Sequence, residues 1–335
     1  MILAAGKGER MHPLTMEVPK ALLNVGGKYL IDWAIERLTR AGIEKIVVAV
    51  GWKRFLVEDY LSASSDIEVS VVDVADYEIG PLQTLVTAIE TFDDDFLLVP
   101  VDILVDASVI SGMLTHYSES VESRGMTLAV DFDTTSGTLV STIEDGIITG
   151  LGNGVFDTDT LGRSAMLFIG NSRLAQDCRK ALASSETKLV SLLGQMIHDG
   201  YSLRYYSVNS HSIDIDTLPD LLSANRFVLQ KGEFSQSGQI FVPEGDRIEI
   251  GDTLSLNSNI TLQKGTELIG PVLISQGCDI GENCRIGPNA TIGSSSNLLS
   301  GCEISDTIVF GESTISTQSH IQGTIVYKSK QYSLE

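Results

Sequence analysis

Two rhythms of apolar and polar positions run along this chain. Through the first part, short apolar runs rich in β-branched residues fall at 45–51, 68–73, 96–100, 126–131 and 164–170. Between them lie amphipathic stretches such as 30–41 and 82–92, whose apolar residues recur at helical spacing. That alternation predicts an α/β domain: a mostly parallel, Rossmann-like sheet covered by helices on both faces, with ligands near the carboxyl ends of its strands. Residues 1–5 are apolar and run directly into glycine, as a buried first strand does. Pro13 and Pro19 then punctuate the chain and predict a loop that stays out of helix until Lys20.

The second rhythm begins at Ile250. Every sixth residue is Ile or Leu: Ile250, Leu256, Leu262, Leu268, Ile274, Ile280, Ile286, Ile292, Leu298 and Ile304. Four places after the aliphatic a small residue recurs, at Thr266, Cys278, Cys284, Ala290, Ser296 and Cys302. This is the spacing of a parallel β-helix in which three short strands make each coil. After Ile304 the register slips by one residue, and Val309, Ile315 and Ile321 resume the period; the slip predicts a distorted or capping coil. A polar stretch at 230–244, with Gly232, Gly238, Pro243 and several serines, separates the two rhythms. The expected partition is a domain at 1–229, a linker at 230–247 and the β-helix at 248–335.

Charge and composition narrow the chemistry. At 335 residues two domains are expected, and a net charge of −21 argues against nucleic acid or an anionic membrane as a partner. No apolar run reaches transmembrane length, and since the first residues are taken up by the first strand and its glycine turn, no signal peptide is expected. Four cysteines without paired spacing point to a reducing, cytoplasmic location. Cys278, Cys284 and Cys302 fall on the small inward position of the repeat and read as core fillers. The five histidines are scattered and form no metal-ligand spacing. Asp93, Asp94 and Asp95 read as a solvated turn before a buried strand.

The candidate chemistry sits at the N-terminal end. Gly6 and Gly8 let the backbone turn tightly and bring N–H groups against an anion, and Lys7, Arg10 and Lys20 add cations nearby. The stretch lacks the third glycine of the dinucleotide fingerprint and the Gly-Lys-Ser/Thr ending of a P-loop. Read in full, Leu3-Ala4-Ala5-Gly6-Lys7-Gly8-Glu9-Arg10-Met11-His12-Pro13-Leu14-Thr15, followed by Pro19-Lys20, resembles the signature of the sugar-1-phosphate nucleotidyltransferases and matches it at every fixed position. The resemblance implies a nucleotidyltransferase domain followed by a left-handed hexapeptide β-helix. It further implies a nucleoside triphosphate and a sugar-1-phosphate as substrates, and Mg²⁺ as cofactor.

Nucleotidyl transfer is an in-line attack of one anion on another, so it wants cations at the phosphates and carboxylates for a hard divalent metal. By resemblance, Leu3 to Gly8 cradle the triphosphate, Arg10 neutralises the leaving pyrophosphate and Lys20 contacts the transferring phosphates. Asp102 ends an apolar strand where the family has Gly-Asp, and by that resemblance it would bind the metal; without it, Asp102 reads as a helix cap or turn residue. Val101 replaces that glycine, and a β-branched side chain there is expected to crowd the nucleotide or sugar. The 213–225 segment resembles the family's second metal-binding stretch, which makes Asp214 the second ligand. Asp216 lies on the same side of an extended chain and stays open as an alternative. Without the family, Asp216 or Thr217 reads as the cap of a helix running to Gln230.

For the base, Gly80 and Gln83 stand in the glycine-containing turn before a helix, although the common Gly-Thr-Ala is absent. The sugar-side Glu-Lys-Pro segment is missing from 144–154, where Asn153 is the candidate substitute. The alternative is a non-catalytic paralogue that binds nucleotide or nucleotide-sugar and regulates a partner. An acyltransferase role for the β-helix has only His320 to support it and no loop insertions. Stacked coils often self-associate, which predicts a homo-oligomer.

Overall fold

The protein is described here by a computed structural model covering residues 1–63, 69–92, 94–119, 126–133, 138–143, 146–152, 160–171, 174–208, 212–232 and 238–333. It divides into two compact units. The first comprises Met1–Gly8, Val18–Ala21 and Ile31–Asp214; the second comprises Glu9–Glu17, Leu22–Leu30 and Ile215–Glu335.

The first unit is built on a nine-stranded sheet. In chain order its strands are β1 (Ile2–Ala4), β2 (Ile46–Val50), β3 (Val69–Asp73), β4 (Phe96–Pro100), β5 (Met126–Asp131), β6 (Leu139–Ile143), β7 (Ile147–Leu151), β8 (Thr160–Gly170) and β9 (Leu203–Val208). Across the sheet they run β3-β2-β1-β4-β8-β5-β9-β7-β6. The β3-β2-β1-β4 half is parallel, with Ile2 opposite both Val48 and Val99. Long β8 enters antiparallel to both β4 and β5. β2, an Ile-Val-Val-Ala-Val run, is buried at every residue, as expected of a strand covered on both faces. Helix α1 (Leu30–Arg40) and helix α2 (Arg54–Ala63) flank it in sequence, and helix α3 (Pro81–Ile89) buries Leu82, Leu85, Ala88 and Ile89 at helical spacing against the sheet core.

The signature segment departs from expectation. It does not wait for Lys20 to turn helical: Glu9–Met11 is a 3-10 turn, Leu14–Glu17 a turn of α-helix, and Lys20–Leu22 another 3-10 turn. Pro13 immediately precedes the helical turn, and its carbonyl accepts from the Met16 N–H at 3.1 Å. Met11, Leu14 and Thr15 are fully buried beneath it.

In the second unit three stacks of short strands make a parallel β-helix. Thr261 pairs with Asp279 and Asp279 with Asn297, a step of eighteen residues or three sixes. Asn297 pairs with Thr314, a step of seventeen, which is where the one-residue slip falls. Dropping one residue at that corner keeps Ile304, Val309, Ile315 and Ile321 buried. The periodic aliphatics from Leu262 to Ile304 are at most 1 % exposed, and each such side chain contributes about 1.5–3 kcal/mol of apolar burial. Thr266, Cys278, Cys284, Ala290, Ser296 and Cys302 are buried beside them, as the repeat predicts.

The period of six extends further than the parallel stack does. Ile240–Val242, Arg247–Glu249 and Leu254–Ser255 pair antiparallel with later strands, so the chain enters the stack in reverse. Leu256, on the six-residue period, is 37 % exposed there. Helix α4 (Ala107–Glu119), helix α5 (Leu174–Ala183) and helix α6 (Leu189–His198) belong to the first unit. Helix α7 (Leu218–Lys231) belongs to the second, where the buried Asn225 side chain accepts from Gly26 N–H at 2.9 Å and from Thr291 Oγ1 at 2.8 Å. Among the described residues, no helix is long and apolar enough to cross a membrane.

Candidate active site

The end of β1 delivers the glycine turn. Leu3 and Ala4 lie in β1, and the Leu3 carbonyl accepts from Val101 N–H at 3.1 Å. The Ala5 carbonyl accepts from Trp52 N–H at 2.9 Å. Gly8 takes φ 64°, a left-handed conformation that glycine adopts without a side-chain clash. A Cβ at Gly6 would meet no atom within 4 Å, so the turn faces open space on that side. Lys7 Nζ reaches Glu78 Oε1 at 2.5 Å and lies 5.7 Å from the Trp52 ring centroid.

Two residues beyond Glu78 is Gly80, held at φ 138° between the Tyr77–Ile79 turn and α3. A Cβ there would sit 3.0 Å from the Thr187 side chain, and the Thr187 carbonyl accepts from Leu82 N–H at 3.0 Å. Gln83 occupies the first turn of α3, its side-chain amide donating to Thr87 Oγ1 at 3.3 Å. Gly80, Gln83, Lys7 and the glycine turn thus share one edge of the first unit, with Glu78 and Trp52 as members that no sequence motif singled out.

The carboxyl end of β4 carries the second cluster. The chain leaves Pro100 through Val101 to Asp102, then pairs Ile103–Leu104 antiparallel with Ile213–Asp214. Asp214 stands opposite Ile103, and carboxylate oxygens of Asp102 and Asp214 come within 4.8 Å of each other. Residues 112 apart in sequence are thereby brought together by one two-stranded ladder. Lys20 Nζ donates to Asp102 Oδ2, and both side chains are sheltered, at 11 % and 22 % exposure. Val101 is 3 % exposed: its side chain is packed in the core, against the expectation of crowding.

Arg10 belongs to the second unit. Its guanidinium, 69 % exposed, pairs with Asp216 Oδ2 at 2.6 Å. Thr217, not Asp216, caps α7: its hydroxyl accepts from Asp220 N–H while the Asp220 carboxylate accepts from the Thr217 N–H, a reciprocal capping box. On the sugar side, Asn153 lies outside the described residues, as do 93, 144, 145 and 154. Just before it, Gly152 joins Thr149, Lys188, Ser191, Gly194 and His198 around a cleft of about 660 Å³ between β7 and α6. The four cysteines are unpaired and buried, and burial pushes the Cys178 thiol up to about 12 and that of Cys278 to about 11, which disqualifies both as nucleophiles.

Two carboxylates whose oxygens lie within 4.8 Å form a hard, anionic donor set that fits a magnesium-sized cation. Lysines at a glycine turn and beside those carboxylates fit an anionic ligand. Groups of this composition can align and neutralise phosphates.

Known proteins resemble this chain in sequence and in fold. The model of the MobA-like NTP transferase domain family matches residues 1–190, and that of the GMPPB C-terminal domain matches residues 268–332. N-acetylmuramate alpha-1-phosphate uridylyltransferase of Neisseria meningitidis is 49 % identical over 71 residues, 21 % of this chain and 31 % of that protein. UTP–glucose-1-phosphate uridylyltransferase of Synechocystis is 24 % identical over 93 % of this chain and 87 % of its own. A UDP-glucose pyrophosphorylase solved with UDP-glucose superposes with a TM-score of 0.58 at 18 % identity, covering 69 % of this chain and 97 % of that one. The chain spans 31 %, 56 % and 60 % of the length of three of the relatives it matches.

Proposed function

We propose that this chain, which belongs to the family of MobA-like NTP transferase domains, transfers a nucleotidyl group from a nucleoside triphosphate to a sugar-1-phosphate. The sugar phosphate oxygen attacks the α-phosphorus, the bond to the bridging oxygen breaks, and pyrophosphate leaves. The observation that carries the reading is the Lys20–Asp102–Asp214 cluster at the carboxyl end of the sheet, beside the glycine turn that follows β1.

The residues divide the work by charge. The turn from Leu3 to Gly8 presents backbone N–H groups to the triphosphate, and Lys7 adds a cation. Gly80 permits close approach of base and ribose, and Gln83 reads the base edge. Lys20 exchanges its Asp102 partner for the transferring phosphate, while Arg10 exchanges Asp216 for the departing pyrophosphate. Asp102 and Asp214 would hold Mg²⁺, with Asp216 two residues along the chain as a further carboxylate. Bound there, the metal supplies charge neutralisation at phosphate oxygens. Asn153 and the Lys188-lined cleft beside Gly152 are assigned to the sugar. Uridylyltransferases recur among the relatives, which favours UTP as the donor.

We assign the transfer chemistry to 1–229, the connection to 230–247, and a left-handed hexapeptide β-helix, serving self-association into a homo-oligomer, to 248–335. Free thiols and an acidic surface fit the cytoplasm. The test is pyrophosphate release with Mg²⁺ over a grid of nucleoside triphosphates and sugar-1-phosphates, with Asp102→Asn beside the parent. Release that needs one specific pair and is lost in the variant upholds the reading. A silent grid, with nucleotide binding still measurable by calorimetry, transfers it to a regulatory paralogue.

A further inference from the structure

The second unit contains a contact that the transfer chemistry does not explain. Glu17 ends the helical turn that follows Pro13, seven residues after Arg10. Its Oε1 accepts from Lys330 Nζ at 2.6 Å and from Tyr332 Oη at 2.9 Å. The two donors come from the last strand, Lys330–Ser333, which pairs antiparallel with Thr324–Tyr327. That neighbour is anchored in the β-helix core, with Ile325 and Val326 fully buried. We propose that Lys330 and Tyr332 are positioning residues that hold Arg10 toward the leaving pyrophosphate by fixing Glu17; the proposal rests on the reading of Arg10 given above.

The segment from Arg10 to Glu17 is short and internally tied. His12 N–H donates to the Glu9 carbonyl and Met16 N–H to the Pro13 carbonyl, each at 3.1 Å. Met11, Leu14 and Thr15 are buried under it. These bonds and buried residues tie the segment together, so fixing its far end at Glu17 restricts the backbone that carries Arg10 at the near end. Arg10 needs that help, since its guanidinium is 69 % exposed and sits on a flexible stem.

The segment borders an open cleft of about 870 Å³ whose walls include Arg10, His12, Thr217, Lys330 and Tyr332. Across that opening Lys330 and Tyr332 tether it. The Tyr332–Glu17 pair stays in its donor and acceptor forms across physiological pH. The Lys330 and Tyr332 hydrogen bonds hold the Glu17 carboxyl below its ordinary range, while burial and the Glu17 carboxylate push the Tyr332 hydroxyl up to about 12. Tyr332 itself is 7 % exposed, so its hydroxyl is a fixed donor.

The test uses the full chain and the variants Tyr332→Phe, Lys330→Met and Glu17→Gln in the reverse, pyrophosphate-consuming direction. The expected result is a KM for pyrophosphate raised roughly tenfold, with the KM for nucleotide-sugar unchanged and Tm within about 2 °C of the parent. In an Arg10→Ala background, Tyr332→Phe adds nothing, because it acts only through Arg10. An unchanged pyrophosphate KM, equal rises for both substrates, or effects that add to Arg10→Ala each overturn the proposal. If the parent turns over no substrate pair, the functional reading fails separately. Calorimetry with Mg-pyrophosphate then decides: weaker binding by Tyr332→Phe upholds the tether, and unchanged binding overturns it.

Discussion

Removing the Lys20 ammonium should push metal binding and catalysis in opposite directions. Asp102 and Asp214 present carboxylate oxygens within 4.8 Å of each other. At that separation and an effective dielectric of about 20, two unit charges repel by about 3.5 kcal/mol. Lys20 offsets part of this by pairing with Asp102, and a cation arriving at the two carboxylates must share Asp102 with it. With side-chain exposures of 11 % and 22 %, the pair lies between a surface ion pair and a buried one, so about 1–2 kcal/mol is available to be released. In Lys20→Met the pair of carboxylates is unopposed, and Mg²⁺ or Mn²⁺ should bind the free protein roughly tenfold more tightly.

Catalysis should fall at the same time by about 10²–10³ in kcat/KM, the usual loss when one preorganised donor to a phosphoryl or oxyanion group is removed. Calorimetric titration of the ligand-free protein with each metal gives the first quantity, and pyrophosphate release under subsaturating substrate the second. Metal binding that weakens or stays constant in Lys20→Met refutes the reasoning, because Lys20 would then not compete for Asp102. Activity within about threefold of the parent refutes the assignment of Lys20 to the transferring phosphate.

Other consequences follow from the same geometry. Gly80→Ala places a side chain at φ 138° and 3.0 Å from Thr187; it should cost about 1–3 kcal/mol in urea unfolding and weaken nucleotide binding, whereas equal stability would contradict the strained turn. Thr217→Ala should lower stability by about 1 kcal/mol through loss of the cap on α7, read as a shift in the denaturation midpoint with unchanged m-value. Stability should also fall as pH rises above about 9. The unfolded chain releases the Cys178 and Cys278 protons there while burial keeps them on in the folded state, so N binds more protons than U and the slope is negative, about −1.4 kcal/mol per pH unit per thiol. Cys178→Ala should flatten that slope by one thiol, and urea midpoints at pH 8, 9 and 10 would measure it.

What the chain reveals by itself is what short-range chemistry writes into it. The Leu3–Gly8 turn is legible because a strand, a glycine with φ 64° and its flanking cations are all specified within a few residues. The β-helix is legible because each coil repeats one local problem, an inward aliphatic every sixth residue. The slip after Ile304 is visible as one missing residue and appears as the seventeen-residue step from Asn297 to Thr314. Resemblance of the flanking segments points to Asp102 and Asp214, and the fold brings their carboxylate oxygens within 4.8 Å.

The tertiary structure decided everything that depends on which distant group answers a charge or covers a face. Pro13 looks like punctuation in the sequence, yet buried Met11 and Leu14 draw the chain around it into a helical turn. Val101 looks obstructive until it is packed in the core. The aliphatic period begins at Ile250, but strands at 240–255 pair antiparallel and leave Leu256 exposed, because periodicity records a spacing and not a direction of pairing. Lys20 with Asp102, Arg10 with Asp216, and Glu17 with Lys330 and Tyr332 are joined across 82, 206 and more than 300 residues. No local pattern encodes such pairs: a charged side chain at a given position is compatible with many partners, and only the packed backbone selects one.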